Sequence, residues 1–93
     1  MSDRKIVRKR LIITGNVQGV GFRYRVYHAA TSLHVTGWVR NEWDGSVQLE
    51  VQGTDEEIHQ MLRLTEQGRY ISIDRVETEY LDVDIDERGF HIR

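Results

Sequence analysis

The chain contains no cysteine, no proline and no excess of positive charge among its 93 residues. The missing cysteine excludes disulfides, thiolate metal sites and thiol nucleophiles. The 13 basic and 15 acidic residues give a net charge of −2, which argues against a dedicated nucleic-acid-binding protein, because such proteins usually carry a basic excess. Long apolar runs are also missing, since residues 11–13 fall short of the about 7–15 residues of a secretory signal and the roughly 20 of a membrane span. We therefore expect a cytoplasmic location and no membrane partner.

The chain also lacks repeats, low-complexity runs and any segment that resembles a linker. Because domains usually span roughly 100–200 residues, residues 1–93 are predicted to form one domain. Charge is unevenly placed: residues 1–40 hold eight basic residues and one acidic residue, whereas residues 41–93 hold five and fourteen. A basic N-terminal half favours an anionic ligand there, although solvated surface charge explains it equally well.

Alternating apolar residues predict four strands and a short fifth, at 11–17, 35–40, 46–52, 75–82 and 90–93. Helical spacing predicts a helix over 22–33, and a capping box of Thr54 and Glu57 begins a second helix that ends at Gly68. Acidic residues 83–89 are predicted to form a loop. The order β-α-β-β-α-β is that of the ferredoxin-like split βαβ arrangement. We therefore predict an α+β fold, in which two helices cover one face of an antiparallel sheet.

The segment Val17-Gln18-Gly19-Val20-Gly21-Phe22-Arg23 joins the first strand to the first helix. Two glycines with one residue between them let successive N–H groups point inward, and the helix start adds unpaired N–H groups and a positive dipole end. The segment lacks the Gly-Lys-Ser/Thr of a Walker loop and the spacing of a dinucleotide fingerprint. Arg23 lies in the first turn, where the dipole disfavours a cation. A bound anion would explain its position, and a plain turn with a surface arginine is the alternative.

A second segment, Gly37-Trp38-Val39-Arg40-Asn41, leads into Asp44-Gly45-Ser46-Val47. In the predicted sheet, strands one and two are parallel with strand three between them, so their C-terminal ends lie at one edge about 9.5 Å apart. Asn41 would then stand across from the start of the first helix. Its amide can orient a water molecule, although asparagine is also a common turn residue.

These two segments together resemble the signature of the acylphosphatase family, in order and at the family's spacing, and the resemblance covers essentially the whole chain. It implies a small cytoplasmic monomer that hydrolyses the carboxyl-phosphate bond of acyl phosphates without a cofactor. By that resemblance Arg23 binds the phosphoryl group, Asn41 positions the attacking water, and a set of backbone amides completes the site. That set comprises Gln18, Gly19, Val20, Gly21 and Phe22. Inorganic phosphate or sulfate is expected to bind there too. The chain departs from the family pattern at Leu33-His34-Val35 and Gly68-Arg69, where Leu-Gly-Leu and Gly-Pro are typical.

Two other functions fit the predicted fold. RNA-binding RRM domains share this element order, but they place stacking aromatic residues on the first and third strands, and residues 46–51 of the third strand here include no aromatic residue and one acid. A domain that binds an anion without turning it over is compatible with the sequence. The four histidines and Asp82, Asp84 and Asp86 lack metal-ligand spacing, so we expect no metal. Trp38 and Trp43 could line the entrance of the site or simply pack.

Overall fold

A computed structural model describes residues 4–93 of the chain. The elements in chain order are β1 (Ile6–Asn16), α1 (Phe22–Ser32), β2 (Thr36–Asn41), β3 (Val47–Thr54), α2 (Asp55–Glu66), β4 (Ser72–Leu81) and β5 (Phe90–Ile92). The strands form one sheet in the order β4-β1-β3-β2-β5. The four long strands are antiparallel neighbours, which confirms the ferredoxin-like prediction. The short β5 pairs in parallel with β2, so the sheet is mixed rather than antiparallel throughout.

The core lies between one face of the sheet and the two helices. Side chains alternate across a strand, so the odd-numbered residues of β1 and β3 pack inward and the even-numbered ones face the opposite, open side. Buried side chains of the strands and of both helices form one hydrophobic cluster. Its largest fully buried members are Phe22, Leu11, Ile13, Leu49, Ile58 and Met61. β4 is an edge strand beyond the cover of the helices, and Val76 and Tyr80 on its helix side stay exposed.

β1 begins at Ile6, five residues before its predicted start at Leu11. The run Arg8-Lys9-Arg10 interrupts the apolar alternation from which that start was predicted. Arg8 is only 6% exposed on the open face of the sheet. Its guanidinium donates to both carboxylate oxygens of Glu87, at 2.8 and 3.0 Å, and to Glu50 at 3.0 Å. Burial of a charge is tolerated when it is paired in this way. The hydrogen bonds to Glu87 raise the pKa of Arg8, and this effect outweighs the lowering that burial causes.

The predicted acidic loop after β4 is confirmed as a loop, and it is fastened across the open face of the sheet. Besides the Arg8–Glu87 pair, the Gln52 amide donates to the carbonyl of Asp84 at 2.9 Å and accepts from its N–H at 2.8 Å. Two contacts from the middle of the sheet therefore hold the chain that leads into β5.

α2 begins as predicted. The Thr54 hydroxyl accepts from the Glu57 N–H at 3.1 Å, and the Glu57 carboxylate accepts from the Thr54 N–H at 3.0 Å. The helix ends at Glu66, and Gly68 does not have the left-handed backbone of a usual glycine cap. A Cβ there would lie 2.5 Å from Ile71 Cδ1 and 2.7 Å from Arg25 Cδ, so those two side chains would have to shift to admit a larger residue.

His34, between α1 and β2, is the one non-glycine residue among residues 4–93 with a positive φ, of 61°. A side chain with a Cβ costs roughly 1–2 kcal/mol in this conformation. We expect His34→Gly to raise the free energy of unfolding by about 1 kcal/mol after the entropy of the unfolded glycine is counted. The melting temperature should rise by roughly 4–8 °C. His34→Ala, which retains the Cβ, is the control in thermal unfolding, and a glycine variant no more stable than it would contradict the strain.

Candidate functional site

The two segments singled out in the sequence meet at one edge of the sheet. β3 lies between β1 and β2, and both neighbours run antiparallel to it. The C-terminal ends of β1 and β2 therefore lie at the same edge, on either side of the start of β3. Two strand spacings, about 9.5 Å, separate them. This juxtaposition of the loop before α1 with the loop after β2 agrees with the predicted topology.

Residues 18–23, which we call the cradle loop, leave β1 and turn into α1. Gly19 and Gly21 have φ values of 73° and 82°, in the left-handed region that favours glycine. Gly21 is the N-cap of α1 and has no side-chain cap bond. Within residues 4–93, the N–H groups of residues 19–24 donate to no protein acceptor. A run of free N–H groups at a helix start is an arrangement that binds an anion.

The two helix starts differ in their charge. The first turn of α2 carries Asp55, Glu56 and Glu57, whereas that of α1 has no acidic residue. The N–H groups and dipole of α2 are therefore compensated by its own side chains, and those of α1 are not. Arg23, in the first turn of α1, adds a guanidinium to this uncompensated end. Of the carboxylates in the described chain, none forms an ion pair with it.

Asn41 is the last residue of β2 and pairs with Val47 at the start of β3. Its side-chain oxygen Oδ1 is buried and accepts no hydrogen bond from residues 4–93. Buried polar atoms usually have a partner, and an unpartnered one costs about 1–3 kcal/mol. The fold alone therefore does not satisfy this side chain, which lies at the same edge as the cradle loop.

Residues 42–46, which we call the hairpin loop, are held by their own contacts. The Asp44 carboxylate accepts from the Ser46 hydroxyl at 2.6 Å and from its N–H at 3.0 Å. These bonds lower the pKa of Asp44, and the bond from the Ser46 hydroxyl has the largest effect. A carboxylate with a lowered pKa is a weak base. Glu42 is paired with Arg40 at 2.8 Å. The hairpin loop therefore offers no strong general base beside Asn41.

One link between the two loops could not be anticipated from the sequence. The side-chain Nε2 of Gln18 donates to the carbonyls of Glu42 and Ser46, at 2.7 and 2.8 Å. Only the backbone amide of Gln18 was expected to have a role. The two bonds join residues that are 24 and 28 positions apart in the chain, and no periodicity or local motif predicts them.

The tryptophans take two different positions. Trp38 is buried on the open face, with the guanidinium carbons of Arg40 and Arg93 at 5.1 and 4.7 Å from its ring centre. These distances suit cation–π contact, so Trp38 packs rather than lining an entrance. Trp43, in the hairpin loop, is 96% exposed.

Two further features concern the described residues as a whole. No group of three or more histidine or acidic side chains within residues 4–93 is arranged to hold a metal ion. No helix in that range is long and apolar enough to cross a membrane.

Comparison with known proteins agrees with this geometry. The acylphosphatase family model matches residues 9–92. An acylphosphatase of Geobacillus kaustophilus strain HTA426 is 43% identical over 86 residues, 91% of this chain and 92% of that protein. The structure of an acylphosphatase from Coxiella burnetii matches with a TM-score of 0.84 at 29% identity, covering 100% of both chains. That of the Bacillus subtilis acylphosphatase matches with a TM-score of 0.84 at 27% identity, covering 94% of this chain and 98% of that one. The chain belongs to the acylphosphatase family, whose enzymes act on small acyl phosphates.

Proposed function

We propose that this protein hydrolyses the carboxyl-phosphate bond of acyl phosphates at the edge where the cradle loop and Asn41 meet. The observation that supports it is the complementary set of unpaired groups there. Among residues 4–93, the N–H groups of residues 19–22 and the Arg23 guanidinium have no protein acceptor, and Asn41 Oδ1 has no donor. The donors suit phosphoryl oxygens, and the Asn41 amide suits the orientation of the attacking water.

In the proposed step the phosphoryl group binds to the cradle loop, with two oxygens on the guanidinium of Arg23 and others on the backbone N–H groups. The amide N–H of Gln18, the first residue of that loop, belongs to the same proposed set. Phosphoryl transfer depends mainly on such positioning and on charge stabilisation. The donors are fixed by α1 and by the two left-handed glycines, so they need little rearrangement as charge develops on the oxygens.

The side-chain amide of Asn41, turned toward the bound phosphoryl group, hydrogen-bonds a water and aims the lone pair of the water oxygen at phosphorus. The new P–O bond forms as the bond to the acyl oxygen breaks, and the electron pair leaves with the carboxylate. A phosphate oxygen of the substrate takes the proton of the water, because the hairpin loop has no strong base. The products are a carboxylate and inorganic phosphate.

The leaving group predicts the substrate preference. A carboxylate leaves without protonation, whereas the more basic phenoxide or alkoxide of a monoester needs a general acid, a group worth about 10²–10⁴-fold in rate, and neither loop supplies one. We expect purified protein to hydrolyse an aromatic acyl phosphate and to cleave phenyl phosphate at least about tenfold more slowly. Spectroscopic assay of both compounds tests this preference.

The same assays include EDTA, which should leave the rate unchanged because the described residues hold no ligand cluster for a metal. Comparable rates on the two compounds would contradict the mechanism, as would activity that EDTA removes and a divalent metal restores. Phosphate binding without turnover would identify the domain as an anion-binding module.

Inorganic phosphate and sulfate offer the same tetrahedral oxygens, so we propose both as competitive ligands of the cradle loop. All groups of the site come from one chain and one hydrophobic core, which suits a monomer formed by residues 1–93 as a single domain. A cytoplasmic location is part of the same proposal.

A further inference from the structure

The Gln18 amide joins the two halves of the candidate site at a particular point. Its Nε2 donates to the carbonyls of Glu42 and Ser46, at 2.7 and 2.8 Å. Glu42 directly follows Asn41, and Ser46 directly precedes Val47, which is the strand partner of Asn41. One nitrogen thus holds both sides of the hairpin loop next to the Asn41 pair. Within residues 4–93, no other hydrogen bond connects residues 18–23 to residues 41–46.

The two carbonyls do not need this amide as a partner. The Ser46 carbonyl also accepts from the Glu42 N–H at 2.9 Å, and the Glu42 carbonyl from the Gly45 N–H at 3.2 Å. The hairpin loop would therefore keep its internal bonds without Gln18. What the loop would lose is its fixed distance from the residues that bind the phosphoryl group.

We propose that the Gln18 side chain is a positioning residue, which sets the distance and angle between the cradle loop and Asn41. The inference rests on the proposed function and adds a residue to it. In-line attack requires water and phosphorus to be aligned, and a displacement of about 1 Å can cost on the order of 10²-fold in rate. Loss of the Gln18 contacts should therefore misplace the water relative to phosphorus. Each half of the site should still form.

The test compares Gln18→Met, Asn41→Ala and the double variant with wild type. Methionine has a similar length and no N–H donor. We measure kcat on an aromatic acyl phosphate and the inhibition constant of inorganic phosphate. We expect Gln18→Met to lower kcat at least about tenfold and to leave the phosphate constant within about twofold. In the Asn41→Ala background the same change should cost less than about twofold, because the positioned residue is already gone.

Gln52→Met is the matched control. Its amide also holds a distant backbone segment, at Asp84, but on the open face of the sheet. The Gln52→Met substitution should destabilise the fold and leave kcat within about twofold of wild type. If Gln18→Met does not fold, Gln18→Asn takes the same measurements, because its amide is one methylene too short to reach both carbonyls.

Three results would overturn the role of Gln18: an unchanged kcat, a phosphate constant that worsens in proportion to kcat, or losses that multiply in the double variant. Wild-type turnover in the same assay tests the proposed function itself, and its absence would overturn both proposals. With wild-type turnover present, the ratios between variants test the role of Gln18 alone.

Discussion

Replacing Arg23 with lysine is expected to lower kcat/KM by about 10³-fold although the charge is kept, which corresponds to about 4 kcal/mol of transition-state stabilisation. A guanidinium presents two parallel N–H donors to two phosphoryl oxygens, whereas an ammonium is a point charge on a flexible stem. Arg23 is not held by a carboxylate of the described chain, so its donors are available for the substrate. The phosphate inhibition constant should rise by about tenfold or more, because inorganic phosphate is proposed to bind the same donors.

Arg25→Lys is the control for this substitution. Arg25 lies two residues further along α1, is exposed, and donates to the carbonyl of Leu64 on α2 at 3.1 Å. The same chemical change there should leave both constants within about twofold. If Arg23→Lys also stays within about twofold, roughly 0.4 kcal/mol, the bidentate contact is wrong. Arg23 would then act only as a source of positive potential.

Asn41→Ala is expected to lower kcat by about 10²–10³-fold, the usual cost of removing one polar group that acts at the transition state. Phosphate affinity should stay within about twofold, because the proposed phosphate ligands lie in the cradle loop. The free energy of unfolding should not fall and should rise by up to about 1 kcal/mol, since Asn41 Oδ1 is buried and has no partner among residues 4–93. The measurements are steady-state kinetics, phosphate inhibition and urea unfolding.

Asn16→Ala serves as the comparison. The Asn16 amide donates to the carbonyl of Tyr70 at 2.6 Å, so its loss should reduce stability and leave turnover nearly intact. A turn residue at position 41 would show the same pattern. Near wild-type turnover together with reduced stability in Asn41→Ala would therefore assign Asn41 a purely structural role.

The order of the elements could be predicted because apolar residues recur at strand and helix spacing. The first residues of β1 could not be predicted in this way, because Arg8 lies on the open face of the sheet and is buried by ion pairs with Glu50 and Glu87. Apolar periodicity does not detect a position that is buried by charge pairing. The attachment of the loop after β4 to the sheet could not be predicted either. Its Gln52–Asp84 contacts join polar groups 32 residues apart, and apolar periodicity does not detect them.

For the candidate site, residue types and topology predicted that the cradle loop and Asn41 share one edge of the sheet. Glycines at 19 and 21 indicate a left-handed turn, and strand order follows from the fold. The Gln18 contacts depend on the placement of a single amide in three dimensions, so no spacing rule predicts them. The unpartnered oxygen of Asn41 is likewise visible only once the surrounding chain is packed.

The most direct test of the proposed mechanism is hydrolysis of an aromatic acyl phosphate in water enriched in oxygen-18, with mass spectrometry of both products. Attack on phosphorus by the water at Asn41 predicts that wild-type protein accelerates hydrolysis and places the label in inorganic phosphate. Label in the carboxylate would show attack at the carbonyl carbon, and the proposed roles of the cradle loop and Asn41 would then be contradicted.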